Sequence, residues 1–147
     1  MVMRIQPGVY LIRNKRENTY IGTETGYGRA GTKAMLDDWN MQGTQKWLVD
    51  YLPSYGTYVI KNFANMEVYL QPGAPPSRRD VPKAEINSYQ FQWVIAEAPN
   101  GHGYFIVKAD EQDQVLQAVS YGPDVVVDDL DQSRSNRRQI WLFETVN

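Results

Sequence analysis

A histidine, an acidic run and four loop arginines are the residues of this chain whose types can do chemistry, and each points to a different kind. His102, the single histidine, lies in PNGHGYF. A nucleophilic triad would need it beside an activated serine, and no G-x-S-x-G elbow accompanies it. It reads as a surface histidine in a glycine-rich turn. The run DVVVDDLDQS (124–133) has the carboxylate density of a calcium loop but lacks the glycine at the sixth place and the closing glutamate, so it reads as a solvated hairpin end. Among 17 acidic residues many pairs could serve glycoside hydrolysis, and the spacing selects none. The expectation is a protein that is not an enzyme, with no catalytic residue, metal or cofactor.

The arginines are more pointed. Arg29 in TETGYGRAGTK, Arg78 and Arg79 in QPGAPPSRRDVPK, and Arg134 in DDLDQSRSNRR each sit in a polar, turn-forming stretch. An arginine held out on a loop is what the primary pocket of a trypsin-like protease receives on its buried Asp. Pro72, Pro75 and Pro76 fix φ and would hold 77–80 outward. Gly26, Gly28 and Gly31 act the other way, because a glycine-rich loop costs more to order on binding.

Such loops need a rigid support. At 147 residues, 42% hydrophobic and 22% charged, the chain has the size and composition of one soluble globular domain with one core. It has no cysteine, which removes disulfides and thiolate chemistry and leaves packing to supply stability. A net charge of -2 without an aromatic-laced basic run makes nucleic acid an unsuitable partner. MVMRIQPGVY contains no apolar run of signal-peptide length, no stretch reaches about 18 consecutive apolar residues, and no N-x-[ST] acceptor occurs. A cytosolic protein outside the membrane, monomeric or weakly dimeric, is the expectation.

The support itself repeats. GVYLIRN from Gly8, GTYVIKN from Gly56 and GYFIVKA from Gly103 start 48 and then 47 positions apart; Trp47, Trp93 and Trp141 are separated by 46 and 48. Two markers at opposite ends of a unit keep one period, which marks a true internal repeat. Each unit holds a second β-rich segment, in TYIGTET, MEVYLQ and QVLQAVS, bounded by turn residues. TKAMLDDWNM is the nearest approach to a helical period. Four short strands per unit make about twelve. No unit can bury its apolar face alone, so the three must close on one core, with the three tryptophans as equivalent pillars. The units run over about 1–52, 53–99 and 100–147.

Units ending in QKW, FQW and QIW resemble the β-trefoil of the ricin-B-like family, with its Q-x-W signature once per repeat. Phe91 stands where the middle unit's glutamine belongs. PGVYLIRN and QIWLFE look particularly like the cysteine-free trefoils of mushrooms, a group that contains both cytosolic lectins and protease inhibitors.

The resemblance implies two functions. Ricin-type sugar sites use an Asp at the end of the second strand, an Asn just before the Q-x-W glutamine and an aromatic wall. Here no Asp stands in YIGTET, VYLQPG or VLQAVS, and Thr44, Gln90 and Arg138 occupy the Asn places, so the inherited site looks dismantled. LDDWN leaves Asp37, Asp38, Trp39 and Asn40 as the makings of a rebuilt one, with Asp38, Trp39 and Asn40 as its chosen candidates. In mushroom trefoil inhibitors the loop between the second and third strands is substrate-like, which implies Arg29–Ala30 as the scissile peptide, with Tyr27 and Gly28 before it. The leading expectation is a defensive inhibitor of a trypsin-like protease; the alternative is a lectin with a non-standard glycan site.

Overall fold

A computed structural model of the chain describes residues 5–75, 77 and 80–146. Arg78, Arg79 and Pro76 lie outside the described residues. Twelve strands are present: β1 (Gly8–Asn14), β2 (Tyr20–Thr23), β3 (Ala34–Asp37), β4 (Trp47–Leu52), β5 (Thr57–Asn62), β6 (Asn65–Pro72), β7 (Ala84–Asn87), β8 (Trp93–Glu97), β9 (Tyr104–Lys108), β10 (Gln114–Ala118), β11 (Val125–Asp129) and β12 (Trp141–Thr145). The segment with a partial helical period is strand β3, where Ala34 and Leu36 alternate inward.

Six strands close a ring: β1 pairs with β4, β4 with β5, β5 with β8, β8 with β9, β9 with β12 and β12 with β1. All the pairings are antiparallel, and because the ring closes on itself the barrel leaves no strand edge unpaired among the described residues. The other six form hairpins β2–β3, β6–β7 and β10–β11. Backbone bridges Lys33↔Glu85, Lys83↔Val126 and Met35↔Asp124 join the hairpins in a cycle. A six-stranded barrel capped by three cyclically bridged hairpins is a β-trefoil, built from four strands per unit.

Trp47, Trp93 and Trp141 are fully buried in one core with Ile12, Ile60 and Ile106. Each indole N–H donates to a main-chain carbonyl of its unit's second strand: Trp47 to Ile21 at 3.0 Å, Trp93 to Leu70 at 2.9 Å, Trp141 to Leu116 at 3.1 Å. The large apolar body fills the core and the polar tip ties barrel to cap. Buried Asn62 and Asn14 lock the units together: the Asn62 amide donates to the Thr44 carbonyl at 3.1 Å and that of Asn14 to the Arg138 carbonyl at 3.0 Å.

The hairpin bridges make 33, 83 and 124 equivalent places round the threefold axis. They hold Lys33, Lys83 and Asp124, with Lys33 Nζ 3.4 Å and Lys83 Nζ 3.1 Å from the two Asp124 carboxylate oxygens.

Candidate functional site

The Q-x-W glutamine shapes the first unit's surface. Gln45 accepts from the Asn40 N–H at 3.0 Å and donates to the Asp38 carbonyl at 2.8 Å, so it pins the connection from β3 to β4. Gly22 makes room for it: a Cβ there would stand 2.8 Å from Gln45 Cγ. In the third unit Gln139 does the same, accepting from the Asp131 N–H at 2.9 Å and donating to the Asp129 carbonyl at 2.8 Å. The middle unit solves the problem with another residue. Gln71, on β6, donates to the carbonyls of Asn87 at 2.9 Å and Tyr89 at 2.8 Å, and Phe91 packs on Trp93 with ring centroids 4.8 Å apart.

A pocket of about 270 Å³ opens beside Gln45 and Gly22. Its walls come from the end of β2 (Thr23), the 3-10 turn Glu24–Gly26, the outer face of β3 (Asp37), and the pinned connection (Asn40, Gln42, Thr44). Two carboxylate and three amide residues, Glu24, Asp37, Asn40, Gln42 and Gln45, thus line one concavity. One Asp37 oxygen accepts from the Asp38 N–H at 2.8 Å, and the Asn40 oxygen accepts from the Gln42 N–H at 3.1 Å. The hydroxyls of Thr23 and Thr44 are enclosed and lack a hydrogen-bond partner among the described residues. Leaving such a group unpaired costs about 1–3 kcal/mol. One of the two carboxylates adjoins a position the resemblance leaves bare: Thr23 ends β2 where an Asp is expected and Glu24 follows directly, while Thr44 stands in the Asn place.

Of the LDDWN residues expected to offer a rebuilt site, Asp37 and Asn40 line this pocket and Asp38 and Trp39 do not. Trp39 packs edge-on against Tyr20, centroids 6.4 Å apart, and keeps 39% exposure. Asp38 lines a neighbouring cleft with Glu17, Thr19 and Pro123. Sequence reasoning missed Glu24, Gln42 and the two threonines. The signal for Glu24 was its place immediately after the second strand.

Tyr27, Gly28, Arg29 and Ala30 lie together on the surface loop between β2 and β3, with the Arg29 guanidinium 5.4 Å from the centre of the Tyr27 ring. Asn65 donates its amide to the Gly28 carbonyl at 2.8 Å. The Arg29 carbonyl accepts from the Thr32 N–H at 3.1 Å, closing a turn through Ala30 and Gly31, whose φ of +89° suits glycine. A scissile carbonyl must instead point into the protease oxyanion hole. Arg134 is exposed in a left-handed conformation, φ +57°, in the connection from β11 to β12. His102 is an exposed turn residue. In the acidic run, Asp131 accepts from the Ser133 N–H at 3.0 Å and hydroxyl at 2.8 Å, bonds that hold its carboxyl below its ordinary pKa. Among the described residues no three of His, Asp or Glu gather as a metal would require, and no helix is long and apolar enough to cross a membrane.

The sequence matches no protein-family model and no curated protein. Solved structures do resemble the fold. The Rhizoctonia solani agglutinin superposes at a TM-score of 0.82 with 16% identity, over 99% of this chain and 100% of that one. The Macrolepiota procera ricin B-like lectin, solved in complex with lactose, superposes at 0.79 with 15% identity, over 98% and 100%. A mosquitocidal holotoxin superposes at 0.83 with 20% identity over 98% of this chain, which spans 18% of the toxin's length. The chain is a β-trefoil.

Proposed function

We propose that the chain is a carbohydrate-binding protein whose first-unit pocket takes one sugar ring. The observation that carries this reading is the set of hydrogen-bonding residues lining one small concavity: Glu24, Asp37, Asn40 and Gln42. Vicinal hydroxyls both donate and accept; carboxylates accept two donors and amides do either. At about 270 Å³ the pocket lies at the small end of ligand sites, which suits a single ring rather than an oligosaccharide. The agglutinin and the lactose-bound lectin among the similar folds lend support.

In this reading Glu24 replaces the missing Asp from one residue further along. The test is a glycan array with the parent, Glu24→Gln and Asp37→Asn. The parent is expected to bind a discrete set of glycans, and each variant to weaken them at least tenfold, the scale of one lost charge-assisted hydrogen bond. A parent that binds none ends the proposal.

Protease inhibition is the second reading, favoured by the exposure of Arg29 and Ala30 and by the Asn65 amide that braces the Gly28 carbonyl. It requires the turn from Arg29 to Thr32 to open on binding. Titrating trypsin with the parent and Arg29→Ala tests it: inhibition abolished in the variant is the expected result, and a parent without inhibition excludes it.

A further inference from the structure

The middle unit departs from the repeat at one residue, Phe91 in place of glutamine, and the consequences reach the surface. Phe91 lies between buried Trp93 (centroids 4.8 Å) and Tyr89 (6.4 Å, edge-on), so a ladder of rings runs outward from the core. Tyr89 is fixed from its backbone as well, its carbonyl accepting from Gln71 at 2.8 Å and from the Phe91 N–H at 2.9 Å. Yet its side chain is 70% exposed. Nothing in the fold needs a braced tyrosine turned to water.

A second exposed tyrosine faces the same place. Tyr55, 72% exposed in the turn between β4 and β5, lines with Tyr89 and Phe91 a cleft of about 400 Å³. The remaining wall is mostly polar: Thr57, Gln90 and Gln92, with Ala109 and Asp110 from the turn after β9. Thr57 donates its hydroxyl to the Gln92 amide oxygen at 2.8 Å, which leaves the Gln92 NH2 as a donor without a protein partner among the described residues. None of these residues lines the first-unit pocket.

We propose that this cleft is a second saccharide site, in which the tyrosine rings meet the C–H face of a pyranose while Gln90, Gln92 and Asp110 bond its hydroxyls. Aromatic rings with a wet rim bind molecules that are apolar on one face and polar at the edge, and a sugar ring is such a molecule. The bracing of Tyr89 lowers the ordering cost on binding. The cleft has one carboxylate and no cationic side chain in its wall, and its two amides give a polyol donors and acceptors that an organic cation does not use. For the class of ligand this inference rests on the carbohydrate reading of the first pocket; for the site it stands on separate residues.

The experiment is a glycan array of hexose and N-acetylhexosamine structures, read with the parent, Tyr55→Ala, Tyr89→Ala and Asp37→Asn, each first checked for an unchanged melting temperature. The expected result is a set of glycans weakened at least tenfold by Tyr55→Ala and by Tyr89→Ala and untouched by Asp37→Asn. That set supports the second site even if Asp37→Asn changes nothing and the first pocket fails. Tyrosine variants that keep the parent's whole profile overturn the inference, as do losses that coincide with those of Asp37→Asn. A parent that binds no glycan, or tyrosine variants that lose affinity only for added choline, also overturn it.

Discussion

The Gln71 side-chain amide lies 2.8 Å from the Tyr89 carbonyl and does for the middle unit what Gln45 and Gln139 do for the others. Three connections of unequal length, spanning residues 38–46, 88–92 and 130–140, are each pinned by one buried glutamine. In the shortest of them the glutamine comes from the opposite strand.

Gln71→Leu keeps a side chain of similar size and removes all three bonds of the amide, leaving the Tyr69, Asn87 and Tyr89 carbonyls without that donor. We expect a loss of about 1–3 kcal/mol in urea unfolding. An unchanged denaturation midpoint would show that the connection holds without it.

Trp47→Phe retains most of the apolar burial but strands the Ile21 carbonyl, which accepts the indole N–H at 3.0 Å. The expected cost is about 1–3 kcal/mol plus the cavity left by the smaller ring. Trp93→Phe and Trp141→Phe should cost similar amounts, because each indole makes the equivalent bond. Thermal melts of the three variants side by side check this; one variant far milder than the others would break the equivalence.

Partial burial raises the pKa of Asp124, but the hydrogen bond and charge of Lys83 and the charge of Lys33 outweigh it and leave the carboxyl lowered. Folding therefore favours the ionised form. Its stabilisation is present above the ordinary carboxylate pKa and is lost as pH falls through the lowered value. Lys83 is raised, chiefly by its hydrogen bond to Asp124, so its contribution is present at neutral pH and is lost as pH rises through the raised value. Asp124→Asn should flatten the acid limb of a stability-versus-pH curve and leave both lysines without their partner. A variant whose acid limb matches the parent's would remove Asp124 from the account.

Trp39 looks in sequence like the wall of a sugar site, yet it packs on Tyr20 and is absent from the pocket lining. Trp39→Ala should therefore leave glycan affinity within about twofold while Asp37→Asn lowers it at least tenfold. Loss of binding in Trp39→Ala, with its fold intact by circular dichroism, would return the indole to the site.

The barrel could be read from the sequence because its determinants are local and recur. A tryptophan, a β-rich string and a turn come round three times, and each string places an isoleucine in the core, Ile12, Ile60 and Ile106. The substitution of Gln71 for the glutamine missing at 91 could not be read, because one lies on β6 and the other in the connection after β7, 20 positions away, and that connection meets Gln71 only once β6 is in register with β7. The first-unit pocket was half legible. Asn40 stood in the right stretch, but strand pairing decides that Asp37 faces the pocket while Trp39 turns to Tyr20. Arg29 was expected in an exposed loop and is found in one; the turn closed by Thr32 depends on a glycine whose φ the sequence does not state.

The lysine–aspartate–lysine cluster on the threefold axis carries a limit that belongs to arithmetic. An odd ring cannot alternate in sign. Were Lys33, Lys83 and Asp124 the same charged residue, every neighbour round the ring would repel, so this place must either stay neutral or differ among the copies. A chain made by tripling one unit can keep its tryptophans identical indefinitely, but where the copies converge it has to give up their sameness to hold a charge at all.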